Sequence, residues 1–407
     1  MTDATHFLRR RQLLAGSAGA LAAVGFAGVA DKASAQASAP AAAAGPRPLP
    51  PYAAWKDANA VIVHSATTIE TRRSAFGTSS ITPTDQLFIR NNLPAPDAAI
   101  VANRDAWQVS IEGVRNPRMT SVAELKTMGL ETVATVLQCS GNGRGFFPSK
   151  PSGTPWTVGA AGCVVWSGVP VRYVAEAFGG VAPGMFYLTG TGGEKLPDGV
   201  DPLSIVVERS VPIKAMSDAI LAWEMNGAPI PLAHGGPLRL IVPGYQGVNN
   251  VKYVKRVAFT SAESQAKIMS HGYRITPLGG TSVPSEPSIQ EMPIKSWVNS
   301  PNADRPVKAG TVYVNGVAFS SGSPIRRVEV SSDGGKTWLE TAFVGPDLGR
   351  FAWRQFALPL QMVPGNYLLT SRAFDAAGNT QPQERLENAH GYNNNSWADA
   401  AVKVAVV

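Results

Sequence analysis

Leu137-Gln138-Cys139-Ser140-Gly141-Asn142-Gly143-Arg144-Gly145-Phe146 places one of only two cysteines at the end of an apolar run. The residues before it, from Thr132 to Leu137, are rich in β-branched side chains and read as a strand. Small residues and an arginine follow. A strand that delivers a thiol into a tight Gly/Asn turn beside a fixed positive charge suits a metal ligand or a nucleophile. The second cysteine lies in Gly162-Cys163-Val164-Val165-Trp166, an apolar setting that reads as core. A Cys139–Cys163 disulfide is the competing reading in an oxidising compartment, and their 24-residue separation permits it. The sequence has no Cys-x-x-Cys-His haem attachment and no zinc-type spacing.

Outward from this stretch, the N-terminus reads as a targeting segment. Arg9-Arg10-Arg11-Gln12-Leu13-Leu14 precedes a mild Ala/Gly-rich apolar run, and Ala33-Ser34-Ala35 is a small-residue cleavage site. The arginine pair before x-Leu-Leu predicts a twin-arginine signal over residues 1–35, hence export to the periplasm in a folded state. Cleavage would remove four basic and two acidic residues, taking the formal charge from +7 to about +5. That balance favours small anions. With no basic run of five or more residues, it offers no nucleic-acid surface. No later segment reads as a membrane span.

Residues 36–60 are Ala/Pro-rich and read as an arm. From 61 to 287, short strand-like runs (Leu87 to Arg90, Trp107 to Ile111, Leu238 to Val242, Val254 to Thr260) alternate with brief helical stretches at Val122 to Met128, Val171 to Phe178 and Ala215 to Ser217. Such helices are too short for a doubly wound parallel sheet, which leaves an irregular α+β domain. After about 288 the texture changes to alternating strands, with Asp333-Gly334-Gly335 as a hairpin turn. Several strands with frequent turns and no helix pattern predict an immunoglobulin-like sandwich over 288–407.

Five ordered segments carry a resemblance. Leu137 to Asn142 resembles the cysteine motif of the sulfite oxidase family. Phe88-Ile89-Arg90-Asn91-Asn92-Leu93-Pro94 is similar to its upstream arginine motif. Ala222 to Gly227 with His234 to Arg239 resembles its pterin-binding stretch, and Val242 to Val254 the segment that follows. The sandwich, with Ser332 to Trp338, resembles its dimerisation domain. The resemblance implies an α+β molybdopterin-binding domain of sulfite oxidase type followed by an all-β immunoglobulin-like sandwich. It implies molybdenum bound through molybdopterin, with Cys139 as the protein's thiolate ligand, a soft donor suited to that role. Arg90 and Arg144 match the arginines that hold an anionic substrate, where the guanidinium fork gives parallel charge-assisted hydrogen bonds. Trp156 matches a pocket tryptophan, for which core packing is the rival reading. Tyr273, 39 residues beyond His234, matches the active-site tyrosine. Asn91, Asn92, His234, Arg239, Asn250, Val251 and Lys252 match cofactor-contacting positions, with Asp201 and Arg209 as further expected contacts.

The departures are specific. Animal members have Asn-His-Leu where this chain has Asn91-Asn92-Leu93, and Gly143 replaces the first of two arginines. Ser152 falls near a pocket lysine, and His390 takes the place of a third substrate arginine. These changes bear on affinity more than on reaction type. The resemblance implies oxidation of sulfite to sulfate. Animal members carry a fused haem domain. No haem segment is expected on this chain, so electrons would pass singly to a separate c-type cytochrome. The assembly would be a homodimer through the sandwich or a heteromer with that cytochrome. Two alternatives stay open: a related molybdopterin oxidoreductase acting on another oxyanion or an S-oxide, and an exported binding module closed by the Cys139–Cys163 disulfide.

Overall fold

The computed structural model describes residues 47–407 apart from Ala95; the expected export signal, residues 1–35, lies outside the described residues. Short antiparallel strands Val61–Ser65, Thr68–Thr71 and Ile89–Arg90 form a three-stranded sheet. A five-stranded sheet runs Ala228–Pro229, Ile220–Met225, Ala161–Pro170, Glu131–Gln138, with Arg239–Ile241 also paired to Ile220–Met225. A second five-stranded sheet runs Arg118–Ser121, Gln108–Glu112, Val254–Thr260, Tyr187–Gly192, Glu208–Pro212. Its one parallel pairing joins Val254–Thr260 to Gln108–Glu112. Among the described residues the longest α-helix is Val171–Ala177, of seven residues. The helical stretch expected at Ala215 to Ser217 is the end of a 3-10 turn, Ile213–Ser217.

The second half is an all-β sandwich. One four-stranded sheet runs Lys295–Ser300, Gly310–Phe319, Arg354–Met362, Ala342–Val344. The other runs Leu339–Glu340, Ile325–Ser331, Gly365–Asp375, Val402–Val406. Alternation is clean where one face is wet: Val402, Val404 and Val406 are buried while Lys403 and Ala405 are exposed. Val298, Val314 and Phe356 from the first sheet pack against Val328, Val330, Leu369 and Ala373 from the second.

The cysteine strand Glu131–Gln138 divides two cores. It pairs antiparallel with Ala161–Pro170, with Val136 opposite Cys163 and Leu137 opposite Gly162. Val136 and Cys163 therefore share a face, and they pack with Trp297, Phe319 and Trp353 where the two halves of the chain meet. Side chains alternate, so Leu137 and Cys139 face the other way, toward Leu87, Phe88, Trp156 and Trp166. The two thiols are free, on opposite faces of one sheet. The disulfide on which the binding-module alternative depended is thereby corrected: register, not distance along the chain, separates the sulfurs. Burial pushes the Cys163 thiol up to about 12, as befits a core residue.

The stretch to residue 60 is not a loose arm where it is described. Ala53 is fully buried against Val61, Ile69 and Ile89 of the first sheet, and Lys56 is buried as well. The sandwich, in turn, reaches back to the cysteine loop. Asn393 N donates to Ser140 O (3.0 Å), Asn394 Nδ2 to Gly143 O (3.0 Å) and Lys295 Nζ to Asn142 O (3.1 Å). Burial pulls the Lys295 ammonium down to about 7, with Asp399 opposing the shift and Arg73 adding to it. The unfolded chain therefore holds one more proton at this site between pH 7 and about 10.4. Stability gained from this residue rises with pH across that window and is lost as pH falls through 7. Chemical denaturation at several pH values should show this slope, at most about 1.4 kcal/mol per pH unit, flattened in Lys295→Met.

Candidate active site

Hydrogen bonds staple the loop after the cysteine strand. Asn142 N donates to Cys139 O (2.9 Å) and Arg144 N to Gly141 O (2.9 Å). The Asn142 side chain ties Gln138 Oε1 (3.0 Å) to the Ala160 amide (3.2 Å). Cys139 is thus held at the meeting point of two cavity limbs. Both limbs are lined by Arg90, Asn91, Asn92, Cys139 and Tyr273. They enclose about 640 and 870 Å³ of empty space, open mouths included.

The inner limb adds Ser140, Glu194, His234, Arg239, Asn250, Val251 and Lys252. Arg239 is buried, donating from Nη1 to His234 O (2.8 Å) and from Nε to Asn250 O (3.3 Å). Lys252 Nζ donates to Asn91 Oδ1 (2.5 Å) and Ala233 O (2.7 Å). Burial, then repulsion from Arg239, pulls the Lys252 ammonium well below its ordinary value. Burial alone drives the Arg239 guanidinium down, to about 10. The limb therefore holds two buried basic groups whose charged forms are disfavoured by burial and would be favoured by a bound anion. Asn250 spends its side chain on the protein, accepting from Val242 N (2.8 Å) and donating to Tyr245 O and Gln246 O. It borders the limb while knotting the loop that carries Val251 and Lys252.

A pterin carrying molybdenum fits these residues. Asn91 Nδ2, Ser140 Oγ and Glu194 Oε2 are buried on the limb without a hydrogen-bond partner, as expected of groups that face a polar ligand. Among the described residues no cluster of three or more His, Cys, Asp or Glu side chains could hold a metal ion. A metal at Cys139 must therefore bring its other donors with it, as a dithiolene-bearing cofactor does.

The outer limb adds Ser65, Thr67, Thr68, Arg144, Ser152, Gly153, Thr154, Trp156, His390 and Tyr392, and no carboxylate. Arg144 Nε donates to His390 O (2.8 Å) and Nη1 to Thr154 O (3.2 Å), which leaves Nη2 without a protein acceptor among the described residues. Two glycines clear its slot: a Cβ on Gly141 would lie 2.6 Å from Nη2, and one on Gly153 2.7 Å from Nη1. Arg90 bonds Asn92 Oδ1, which also accepts from the Tyr273 hydroxyl (3.3 Å). Asn92, standing where animal relatives have histidine, thus couples the arginine to the tyrosine. Burial works against the Arg90 charge, yet the Tyr273, Cys139 and Tyr392 side chains hold it above its ordinary value. Tyr273 sits at φ +53°, strained backbone of the kind found at functional sites. Trp156 is buried, its ring meeting His64 and Phe88 edge-on. His390 Nε2 pairs with Ser282 Oγ (2.7 Å). Burial and then Arg144 lower its pKa, while Glu286 opposes, so it is neutral near pH 7.

Two expected contacts stand elsewhere. Asp201 is exposed and caps a four-residue helix, accepting from Leu203 N (3.0 Å). A carboxylate beside proline at a helix start is used up by the turn it begins. Arg209 is fully buried, but borders neither limb. Its donors go to Asn249 Oδ1, Ile268 O, Ser288 Oγ and Ile289 O, making it a strut behind Tyr273. Conversely, three residues at the site were not singled out. Tyr392 and Glu194 line it. Lys56 Nζ meets His234 Nε2 (2.9 Å) while donating to Thr84 O and Leu87 O. A lysine within Ala53-Ala54-Trp55-Lys56 and a tyrosine within an asparagine-rich turn were the available signals.

Family models match two segments: an oxidoreductase molybdopterin binding domain over residues 94–268, and a Mo-co oxidoreductase dimerisation domain over 286–405. A sulfite oxidase of Gallus gallus is 30% identical over 334 residues, covering 78% of this chain and 72% of that protein. A sulfite oxidase of Arabidopsis thaliana is 29% identical, covering 81% and 89%. A nitrate reductase of Phaseolus vulgaris is 30% identical over 78% of this chain, but only 38% of its own length. Among solved structures, the sulfane dehydrogenase SoxCD from Paracoccus pantotrophus superposes with a TM-score of 0.71 at 24% identity, over 85% of this chain and 89% of that one. This last likeness is one of fold.

Proposed function

The chain belongs to the sulfite oxidase family of molybdopterin-binding oxidoreductases, and from that premise we propose that it oxidises sulfite to sulfate and passes the electrons singly to a separate c-type cytochrome. The observation that carries this reading is the junction at Cys139. A limb with buried basic side chains, suited to an anionic cofactor, meets there a limb with two guanidiniums and no carboxylate, suited to an oxyanion.

Cys139, His234, Arg239, Lys252, Asn91 and Ser140 would hold the cofactor. Bound there, it supplies the two-electron redox couple and the oxygen transfer by which sulfite and water become sulfate, two protons and two electrons. The chain's own residues do the rest. Arg144 Nη2 and Arg90 draw the anion down the outer limb and orient it by charge-assisted hydrogen bonds. The Tyr273 hydroxyl, held by Asn92, donates to or takes a proton from the reacting oxygen. Trp156, packed against His64 and Phe88, walls the limb and limits water. Neutral His390 adds a hydrogen-bonding edge without a third fixed charge.

Export by the twin-arginine route would place the reaction in the periplasm beside soluble cytochromes. The mildly basic mature chain favours an acidic partner patch. The dimerisation-type sandwich supports either self-association or a stable heteromer. The test is sulfite-dependent reduction of cytochrome c by the molybdenum-loaded protein, with ferricyanide as a control acceptor and cell fractionation for location. Two cytochromes reduced per sulfite consumed is the expected stoichiometry. Loaded protein inert toward sulfite, but oxidising a reduced dye with a sulfoxide or nitrate, moves the substrate to the alternative class.

A further inference from the structure

Four side chains follow one another from behind Tyr273 into the outer limb. The Arg209 guanidinium lies 5.7 Å from the Tyr273 ring centre. Tyr273 stacks on Tyr392 with centroids 5.3 Å apart and planes 14° from parallel. The Arg144 guanidinium lies 5.3 Å from the Tyr392 ring centre. One end of this run is fixed, since four protein acceptors hold Arg209 at 2.9–3.1 Å. The other end, Arg144 Nη2, is open to the limb.

Tyr392 comes from the sandwich half, on a turn held from several sides. Its amide donates to Asn388 Oδ1 (3.0 Å), and Asn388 Nδ2 donates to Tyr392 O (3.0 Å). Asn393 N binds Ser140 O, beside the cysteine, and Gln246 Nε2 donates to Asn393 Oδ1 (2.8 Å). A half-buried ring on so constrained a turn has little freedom, and the three groups it meets, Tyr273, Arg144 and His390, all line the substrate limb. A planar guanidinium against an aromatic face is held in orientation as well as position, and partial desolvation strengthens the contact. The backbone at Gly141 and Gly153 comes so close to the Arg144 guanidinium that an added Cβ would clash, so the slot is close-fitting, and the Tyr392 ring is the aromatic wall that completes it alongside two carbonyl acceptors.

The geometry points to Tyr392 as a positioning residue for the oxyanion: its ring is the spacer that sets the Arg144 fork against Tyr273, and through it the sandwich half tunes anion affinity. The inference rests on the outer limb being the anion site. It assigns the work to the ring and not to the hydroxyl.

The test uses molybdenum-loaded protein and two readouts, calorimetric titration with sulfate and sulfite kinetics. Tyr392→Met keeps a long apolar side chain and loses the planar face. It should weaken sulfate binding at least tenfold and raise KM for sulfite in parallel, with kcat within threefold, the pattern of lost ground-state and transition-state binding alike. Tyr392→Phe should restore sulfate binding to within threefold of the wild-type protein. In an Arg144→Lys background, which abolishes the planar partner, Tyr392→Met should add less than twofold, because the two residues act as one unit. Unchanged sulfate binding in Tyr392→Met overturns the inference. So do effects that multiply in the double variant, or a Tyr392→Phe as weak as Tyr392→Met. Equal molybdenum content and melting temperature across the set confirm that folding is not what is read. A wild-type protein that binds sulfate but does not oxidise sulfite would defeat the substrate proposal, while the sulfate titrations still decide the role of Tyr392.

Discussion

Arg144→Met lowers kcat/KM for sulfite by about a hundredfold or more. The wild-type guanidinium has Nη2 open to the outer limb, and its other donors are committed to His390 O and Thr154 O. A hydrogen bond to a charged group contributes roughly 1.5–3 kcal/mol, and 1.4 kcal/mol is a factor of ten. Loss of the bond to the anion, with two carbonyls left short of a donor, adds up to about 3 kcal/mol. Arg144→Lys keeps the charge but loses the planar fork, so a loss of about tenfold is expected. Steady-state kinetics over a range of sulfite concentrations separates the two variants. A loss below threefold for Arg144→Met would mean that Arg90 alone carries the anion.

Arg239→Met yields protein with less than about a tenth of the wild-type molybdenum. Arg239 anchors the far wall of the inner limb, buried against Trp166 with its guanidinium 5.1 Å from that ring centre. Its charge is maintained against a desolvation cost that brings its pKa to about 10. Lys252 and His234 stand beside it, and burial with repulsion from the neighbouring cations lowers both of their pKa values. Such an array is tolerable in a folded protein when an anion completes it. Methionine keeps the packing and removes the charge, so the inner limb should bind its anionic cofactor far more weakly. Metal analysis of protein purified under molybdate-replete expression provides the check. Full molybdenum content in Arg239→Met would show that the cofactor's charge is met elsewhere.

Local signals made much of this site legible. Cys139 follows a β-branched strand and opens a Gly/Asn turn, and the structure seats it where the two limbs meet. Arg90, Arg144 with Trp156, Tyr273 and His390 come from four distant segments and line one limb. The separate texture of the last 120 residues foretold the sandwich, because alternation with turn chemistry is a local property. The misreadings share one cause, the tertiary fate of polar side chains. Asp201 and Arg209 have suitable chemistry, but one is taken up by a helix start and the other by four protein acceptors. Nothing along the chain indicates such consumption. Tyr392 was missed for the converse reason. Asn388 to Asn395 reads as a turn, and only the return of the sandwich onto the cysteine loop brings its ring to Tyr273.

The two cysteines give the sharpest comparison, since they lie on opposite faces of one sheet pairing. Molybdenum content and sulfite-dependent cytochrome c reduction should be measured together on the wild-type protein, Cys139→Ser and Cys163→Ala. About one molybdenum per chain is expected in the wild type, with no sulfite turnover in Cys139→Ser and both metal and turnover retained in Cys163→Ala. Turnover surviving in Cys139→Ser, or lost with Cys163→Ala in a folded and metal-loaded protein, would contradict Cys139 as the metal's thiolate ligand.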